Sequence, residues 1–296
     1  MTGPMLGAAA ARARFDELTA APGCVLAGSA YDGLSAAVLD EAGYECITVS
    51  GAGVSASRLG LPDLGLITLP EMLDAARMIA ARVSVPVIAD VDTGFGNELN
   101  VARTIAEFAA TNVAAVHLED QVFPKRCGHL TGKQVVDSDD FLRKVRAADR
   151  ARAGTGMRLI ARTDAIAVYG IDDAIERANR AMDAGADIVF IEAPTTHEQV
   201  ERIGAEVTGP KLYNLATGGR SPSYPVSQLG ELGFAIAIVP TVALYPAVSA
   251  MRTAARAVLE AGGDQPLAGF GLTPPELFNL VGMRHWLSLA DSLTGA

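Results

Sequence analysis

RLIARTDAIAVYGIDDAIERANRAMDAGADIVFIEA, residues 158–193, decides the architecture. Its two ends, RLIARTD (158–164) and DIVFIEA (187–193), are apolar runs without strict alternation, the pattern of strands covered on both faces. Between them, IDDAIERANRAMDAGA (171–186) has a helical period. Ile171, Ile175, Ala178 and Met182 fall on one face at i, i+4, i+7 and i+11, and Asp172 and Asp173 sit near the start, where a helix N-terminus favours negative charge. The unit is strand, helix, strand.

Working outward, the same unit recurs. CVLAGSA (24–30), CITVSG (46–51), VPVIADVD (85–92) and AAVHLED (114–120) precede it, and KLYNLA (211–216) and FAIAIVP (234–240) follow. Eight strands alternating with helices predict a closed (β/α)₈ TIM-type barrel, with an open doubly wound sheet as the alternative. No linker interrupts the chain, so one domain over residues 1–296 is expected; barrels fill about 250 residues as a single unit. After the eighth strand the sequence predicts an Ala-rich helix over about 245–262. An extension over about 264–296 ends in an amphipathic helix, 276–293, carrying Leu277, Leu280, Trp286, Leu287 and Leu293. A helix beyond a complete barrel either caps its own barrel or packs on a neighbouring subunit.

Half of the 296 residues are hydrophobic but only 5% are aromatic, so the core must be built from Ala, Val, Leu and Ile. With 24 basic and 34 acidic residues, the net charge is −10. An acidic surface argues against nucleic acid or an anionic membrane as a partner and leaves a small anionic substrate open. Cys24, Cys46 and Cys127 are odd in number and widely spaced, indicating neither a disulfide framework nor a zinc site. Cys24 and Cys46 lie in apolar runs and read as buried thiols. With no signal-peptide pattern and no apolar stretch long enough to span a bilayer, a cytoplasmic enzyme is expected.

In such a barrel, chemistry sits at the C-terminal ends of the strands. The third strand ends Asp90-Val91-Asp92, the fourth His117-Leu118-Glu119-Asp120, the fifth Arg162-Thr163-Asp164, the sixth at Glu192 and the seventh at Asn214. Asp90 and Asp92, two apart on one strand, are expected to point the same way, with Glu119 reaching the same rim. Three carboxylates converging with no lysine between them would repel unless a divalent cation lay among them, and hard oxygen donors suit Mg²⁺, or Mn²⁺. The structural alternative is that these acids cap neighbouring helices. The loop that follows, Lys125-Arg126-Cys127-Gly128-His129, sets cations beside a cysteine. This predicts a lowered thiol pKa and a competent acid or nucleophile, against the alternative of an incidental loop thiol. Gly128 lets the backbone approach a ligand. No P-loop, dinucleotide fingerprint or Ser-His-Asp arrangement stands out.

LGLPDLG (59–65), DVDTGFGN (90–97), HLEDQVFPKRCGHLTGK (117–133), ARTDA (161–165) and NLATGGRSP (214–222) resemble, in order, the isocitrate lyase/phosphoenolpyruvate mutase superfamily, over residues 24–250. The resemblance implies a Mg²⁺ site with Asp90 as a ligand largely through water, and with Asp92, Glu119 and Asp63 as its acidic shell. It implies that Ser50, Gly51 and Ala52 bind the substrate carboxylate, that Arg162 clamps the oxo acid, and that Asn214 and Glu192 line the pocket. It also makes Lys125 to His129 a gating loop, with Cys127 as the catalytic acid and His129 beside it, and Lys125 and Gly128 meeting substrate. A homotetramer, a dimer of dimers that share their C-terminal helices, is implied too.

The Cys-containing loop disfavours phosphoenolpyruvate mutation. Two departures stand out: Thr48 replaces the tyrosine found two residues before the Ser-Gly turn in 2-methylisocitrate and isocitrate lyases, and Pro240-Thr241-Val242 replaces the common Pro-Leu-Ser. The expectation is a Mg²⁺-dependent lyase that cleaves a 2-hydroxy di- or tricarboxylate to an oxo acid such as pyruvate. Oxaloacetate hydrolysis, a carboxyphosphonoenolpyruvate phosphonomutase and a non-catalytic binding barrel are the alternatives.

Overall fold

The computed structural model describes residues 6–294. Eight parallel strands close a barrel in sequence order. They are β1 (Val25–Ala30), β2 (Cys46–Val49), β3 (Val87–Asp90), β4 (Ala115–Glu119), β5 (Arg158–Thr163), β6 (Ile188–Ile191), β7 (Lys211–Asn214) and β8 (Ile236–Val239). Each lies within one of the eight apolar runs, and β8 closes on β1 with Val25 opposite Ile236 and Gly28 opposite Val239. Nearly every strand residue is buried, because the barrel interior covers one face and the helical ring the other.

The helices form where the sequence supplies a cap and an apolar stripe. Helix Glu98–Ala109 follows β3 and its turn. Asn97 caps it, its side chain accepting from the N–H groups of Leu99 and Asn100, while Asn100 reaches back to the Asn97 N–H. Helix Ile171–Asp183 buries Ala174, Ile175, Ala178 and Ala181; Ile171 and Met182 only pack against the edge of the core. The helix also buries Arg177, a charge its apolar stripe does not announce. Ahead of β1, helix Ala8–Ala20 plugs the N-terminal end of the barrel. Its Phe15 is fully buried, and its Arg12 guanidinium donates to the carbonyls of Ala109, Thr111, Val113 and Thr155.

Beyond β8 the helix Leu244–Ala261 has no buried residue along its 18 positions. The helix expected over 276–293 is two helices, Pro274–Leu280 and Met283–Thr294. Gly282, at φ 96°, breaks it, because that left-handed backbone cannot continue a right-handed helix. Neither piece has a buried residue, and Phe278, Trp286, Leu287 and Leu293 are exposed. Cys46 is buried as expected, whereas Cys24, at the outer edge of β1, is only half-buried.

Candidate active site

The strand ends and the loops after them enclose a cavity of about 360 Å³ at the C-terminal mouth of the barrel. Twelve of the residues singled out from sequence line it: Ser50, Gly51, Ala52, Asp63, Asp90, Lys125, Cys127, Gly128, His129, Arg162, Glu192 and Asn214. Asp92 and Glu119 do not. They lie just behind the wall, 2% and 1% exposed.

Three expectations need correction. Asp92 is not the second same-side residue of a strand. β3 ends at Asp90, and Asp92 adopts a left-handed backbone, φ 45°, in the turn that follows, its N–H donating to Asp90 Oδ1 at 2.9 Å. Nor do the acids converge free of lysine. Lys125 is buried among them, with Nζ 2.5 Å from Asp63 Oδ1 and 2.9 Å from Asp92 Oδ1. Burial disfavours its charge, but Asp92, Glu119, Asp63 and Asp90 outweigh burial and hold it firmly protonated. The third correction concerns Cys127. Burial raises its thiol pKa, and the backbone N–H of His129 offsets this only in part, so the flanking cations do not produce a thiolate. Lys125 spends its charge on the acids and Arg126 turns outward to the Thr131 carbonyl.

The opposite wall is a charged cluster around Arg162. Its Nε lies 2.9 Å from Asp164 Oδ2 and 3.2 Å from Glu119 Oε2, its Nη2 lies 3.5 Å from Glu192 Oε2, and the guanidinium stands over the Phe190 ring. Glu192 accepts from Asn214 Nδ2 at 3.2 Å and pairs with His129 Nε2 at 3.0 Å. Because the Arg220 N–H donates to His129 Nδ1 at 3.1 Å, the imidazole proton is on Nε2 and points at Glu192. Burial alone would raise the Glu192 carboxyl, yet Arg162, His129 and Lys133 hold it down at about 2, so it is ionised. Asn214 Oδ1 is buried without a partner.

Two glycines carry a steric requirement. A Cβ on Gly51 would stand 2.5 Å from Asp90 Oδ2, and one on Gly128 would stand 2.5 Å from both Arg162 Nη2 and Glu192 Cγ. Ser50 caps the short helical turn after β2 by accepting from the Gly53 N–H at 3.0 Å, which leaves its own hydroxyl proton free to donate. Thr48, where the resemblance leads one to look for a tyrosine, pairs instead with the Ser29 hydroxyl across β1 and β2, and both line the cavity.

The donor set suits a hard divalent cation. The carboxylate oxygens of Asp92 and Glu119 are buried: Asp92 Oδ1 faces Lys125 and Glu119 Oε2 faces Arg162. Asp92 Oδ2 and Glu119 Oε1 have neither a hydrogen-bond nor an ion-pair partner among the described residues, and burial pushes Asp92 up to about 6 and Glu119 well above its usual range. Such oxygens are stabilised as anions by a cation beside them. Among the described residues no three acids, histidines or cysteines are gathered as a ready cage. Asp90, Asp92 and Glu119 could therefore hold the ion in part through water, as Mg²⁺ usually is held.

Sequence reasoning overlooked Lys133, Ser29 and Phe190. Lys133 stood in the motif 117–133, but nothing local shows that its side chain turns into the barrel wall. Ser29 and Phe190 are inward-facing strand residues whose neighbours come from other strands.

The chain is similar to known proteins of one family. The model of the phosphoenolpyruvate phosphomutase family matches residues 15–259. The chain is 43% identical over 239 residues to 2,3-dimethylmalate lyase of Eubacterium barkeri, covering 81% of this chain and 83% of that protein. It is 38% identical over 262 residues to 2-methylisocitrate lyase of Aeropyrum pernix, covering 88% and 84%. Among solved structures, oxaloacetate acetylhydrolase in complex with 3,3-difluorooxalacetate superposes with a TM-score of 0.91 at 36% identity, over 97% of each chain. The matched span takes in all eight strands and every residue of the cavity wall, and the chain belongs to the phosphoenolpyruvate phosphomutase family, within the superfamily that its motifs resemble.

Proposed function

We propose that this protein is a Mg²⁺-dependent carbon–carbon lyase, cleaving a 2-hydroxy di- or tricarboxylate of the 2,3-dimethylmalate or 2-methylisocitrate type to an oxo acid such as pyruvate and a second carboxylate. The observation that carries the reading is the placement of Cys127, its thiol kept protonated by burial, over a cavity whose opposite wall carries Arg162 and the ionised Glu192. The lyases among the relatives support the same class.

The substrate carboxylate would be received by the Ser50 hydroxyl, the N–H groups of Gly51 and Ala52, and Arg162. Glu192 is the ionised acceptor in the cavity for the hydroxyl proton, and His129 and Asn214 orient it. As that proton leaves, the C2–C3 bond breaks and its electron pair passes to the departing fragment, which takes a proton from Cys127 Sγ. The chemistry a divalent cation supplies when bound at Asp90, Asp92 and Glu119 is Lewis-acid stabilisation of negative charge developing on the substrate oxygen. Mn²⁺ satisfies the same donors. Lys125 and Gly128 close the loop side of the cavity and keep water from the carbanion.

The similarity to oxaloacetate acetylhydrolase supports a second reading, hydrolysis of oxaloacetate in the same cavity. An NMR turnover screen with and without Mg²⁺ separates the two, offering 2,3-dimethylmalate, 2-methylisocitrate, citramalate and oxaloacetate. Release of pyruvate is expected, with Cys127→Ser losing roughly 10²-fold in turnover, the usual contribution of a general acid. Consumption of oxaloacetate alone would overturn the lyase assignment, and a Cys127→Ser variant of near-normal activity would overturn the role of Cys127 as the acid.

The unburied helices Leu244–Ala261, Pro274–Leu280 and Met283–Thr294 support assembly of the chain into a homotetramer, a dimer of dimers in which paired subunits exchange these helices. No helix among the described residues is long and apolar enough to cross a membrane.

A further inference from the structure

Lys133 touches no reacting atom in the chemistry above, although its charge helps keep Glu192 ionised, and its side chain is only 1% exposed. A lysine is rarely buried this deeply without a specific partner, and this one has two. Nζ donates to Asp164 Oδ1 at 2.6 Å and to the carbonyl of Gly128. Asp164 is itself rigidly held: its Oδ2 accepts from Arg162 Nε at 2.9 Å, and its N–H donates to Asp120 Oδ1 at 2.9 Å. Asp120 is held in turn by the Thr163 hydroxyl at 2.6 Å and by Arg177 at 3.3 Å. Arg162 is shared among Asp164, Glu119 and Glu192, so Lys133 helps balance the charge of Asp164, but charge balance alone does not require the contact with the Gly128 carbonyl. What Lys133 adds is the second contact, from the barrel wall to the backbone of the loop.

Gly128 lies between Cys127 and His129, and its backbone is pressed so closely on Arg162 and Glu192 that no Cβ fits. The loop's other ties sit around that point. Gln121 holds the Arg126 N–H and carbonyl at 3.0 and 2.8 Å, and the Cys127 N–H donates to the Asp63 carbonyl at 3.2 Å. We propose that Lys133 is a positioning residue of the active site: clamped on Asp164, its ammonium grips the Gly128 carbonyl and thereby sets Cys127 and His129 over the cavity. Removing the grip leaves a buried carbonyl unpaired, which favours the loop's lifting into water. This inference rests on the lyase reading only for its effect on turnover.

The test is the alkylation rate of Cys127 in the full-length protein, measured with iodoacetamide and resolved by peptide mass spectrometry, with Cys24 and Cys46 as internal references. In Lys133→Met, Cys127 is expected to react roughly tenfold faster while Cys24 and Cys46 keep their rates, because only the loop opens. Lys133→Arg, which restores a cationic donor, is expected to return most of the protection. On the proposed substrates, kcat in Lys133→Met should fall by roughly tenfold with KM changing less. An unchanged Cys127 rate in folded Lys133→Met, or an equal rise at all three thiols, would overturn the proposal. Should Lys133→Met fail to fold, the same measurement on Lys133→Gln decides. If the wild-type protein turns over none of the hydroxy acids, the lyase reading fails while the thiol rates still judge Lys133.

Discussion

Cys127 shows how a residue's neighbours in sequence can mislead about its electrostatics. Lys125, Arg126 and His129 surround it in the chain, but each has an acceptor elsewhere: the acids behind the wall, the Thr131 carbonyl, and Glu192. Desolvation is then what the thiol feels most, and its pKa rises above the ordinary value of 9.0. The sign matters for function. An acid works in its protonated form, below its pKa, and activity is lost as pH rises through that value. The raised value therefore pushes the alkaline loss of kcat above pH 9. A kcat–pH profile with an alkaline limb below pH 8 that vanishes in Cys127→Ser would show instead that the thiol is acidified. Glu192 runs the other way. Its carboxyl is held at about 2, so it remains ionised across the physiological range and serves as an acceptor.

Among the elements, the strands were the most readable and their ends the least. Apolar runs covered on both faces marked all eight strands, but the point at which β3 stops depends on the turn that carries Asp92 at positive φ, which periodicity does not encode. Capping is local and can be tested locally. The Asn97 side chain satisfies two N–H groups at the start of helix Glu98–Ala109, directly after the DVDTGFG turn at the site's rim. Asn97→Ala is expected to cost about 1 kcal/mol and lower Tm by about 2 °C. Calorimetry that found no change would mean that water serves those donors equally well. The last helix teaches the converse lesson: its apolar pattern runs through residues 276–293, yet Gly282 divides it, and only the backbone shows the break.

For the whole molecule, the barrel accounts for residues up to about 240 and leaves the C-terminal helices with large apolar side chains, Trp286 among them, facing water. Helices that leave several large apolar side chains unburied are commonly covered by a partner. Deleting residues 264–296 is therefore expected to lower the native mass measured by light scattering while the barrel keeps its circular dichroism spectrum. An unchanged mass would place the contacts of any assembly elsewhere. Much of the molecule was settled by the sequence alone. Apolar runs and helical stripes depend only on neighbours a few positions apart, so they determined the eightfold alternation. The long motifs contain eight of the twelve cavity-lining residues singled out, with Glu192 marked by its strand end and Ser50, Gly51 and Ala52 by the family resemblance. Only the tertiary structure decided which charges meet. Lys125 entered the acid cluster, Lys133 reached across to Gly128, and the Ser29 and Thr48 hydroxyls paired where a phenol was looked for. The physical reason is that protonation state and ion pairing depend on burial and on through-space distances between residues far apart in the chain, and those exist only once the barrel has closed.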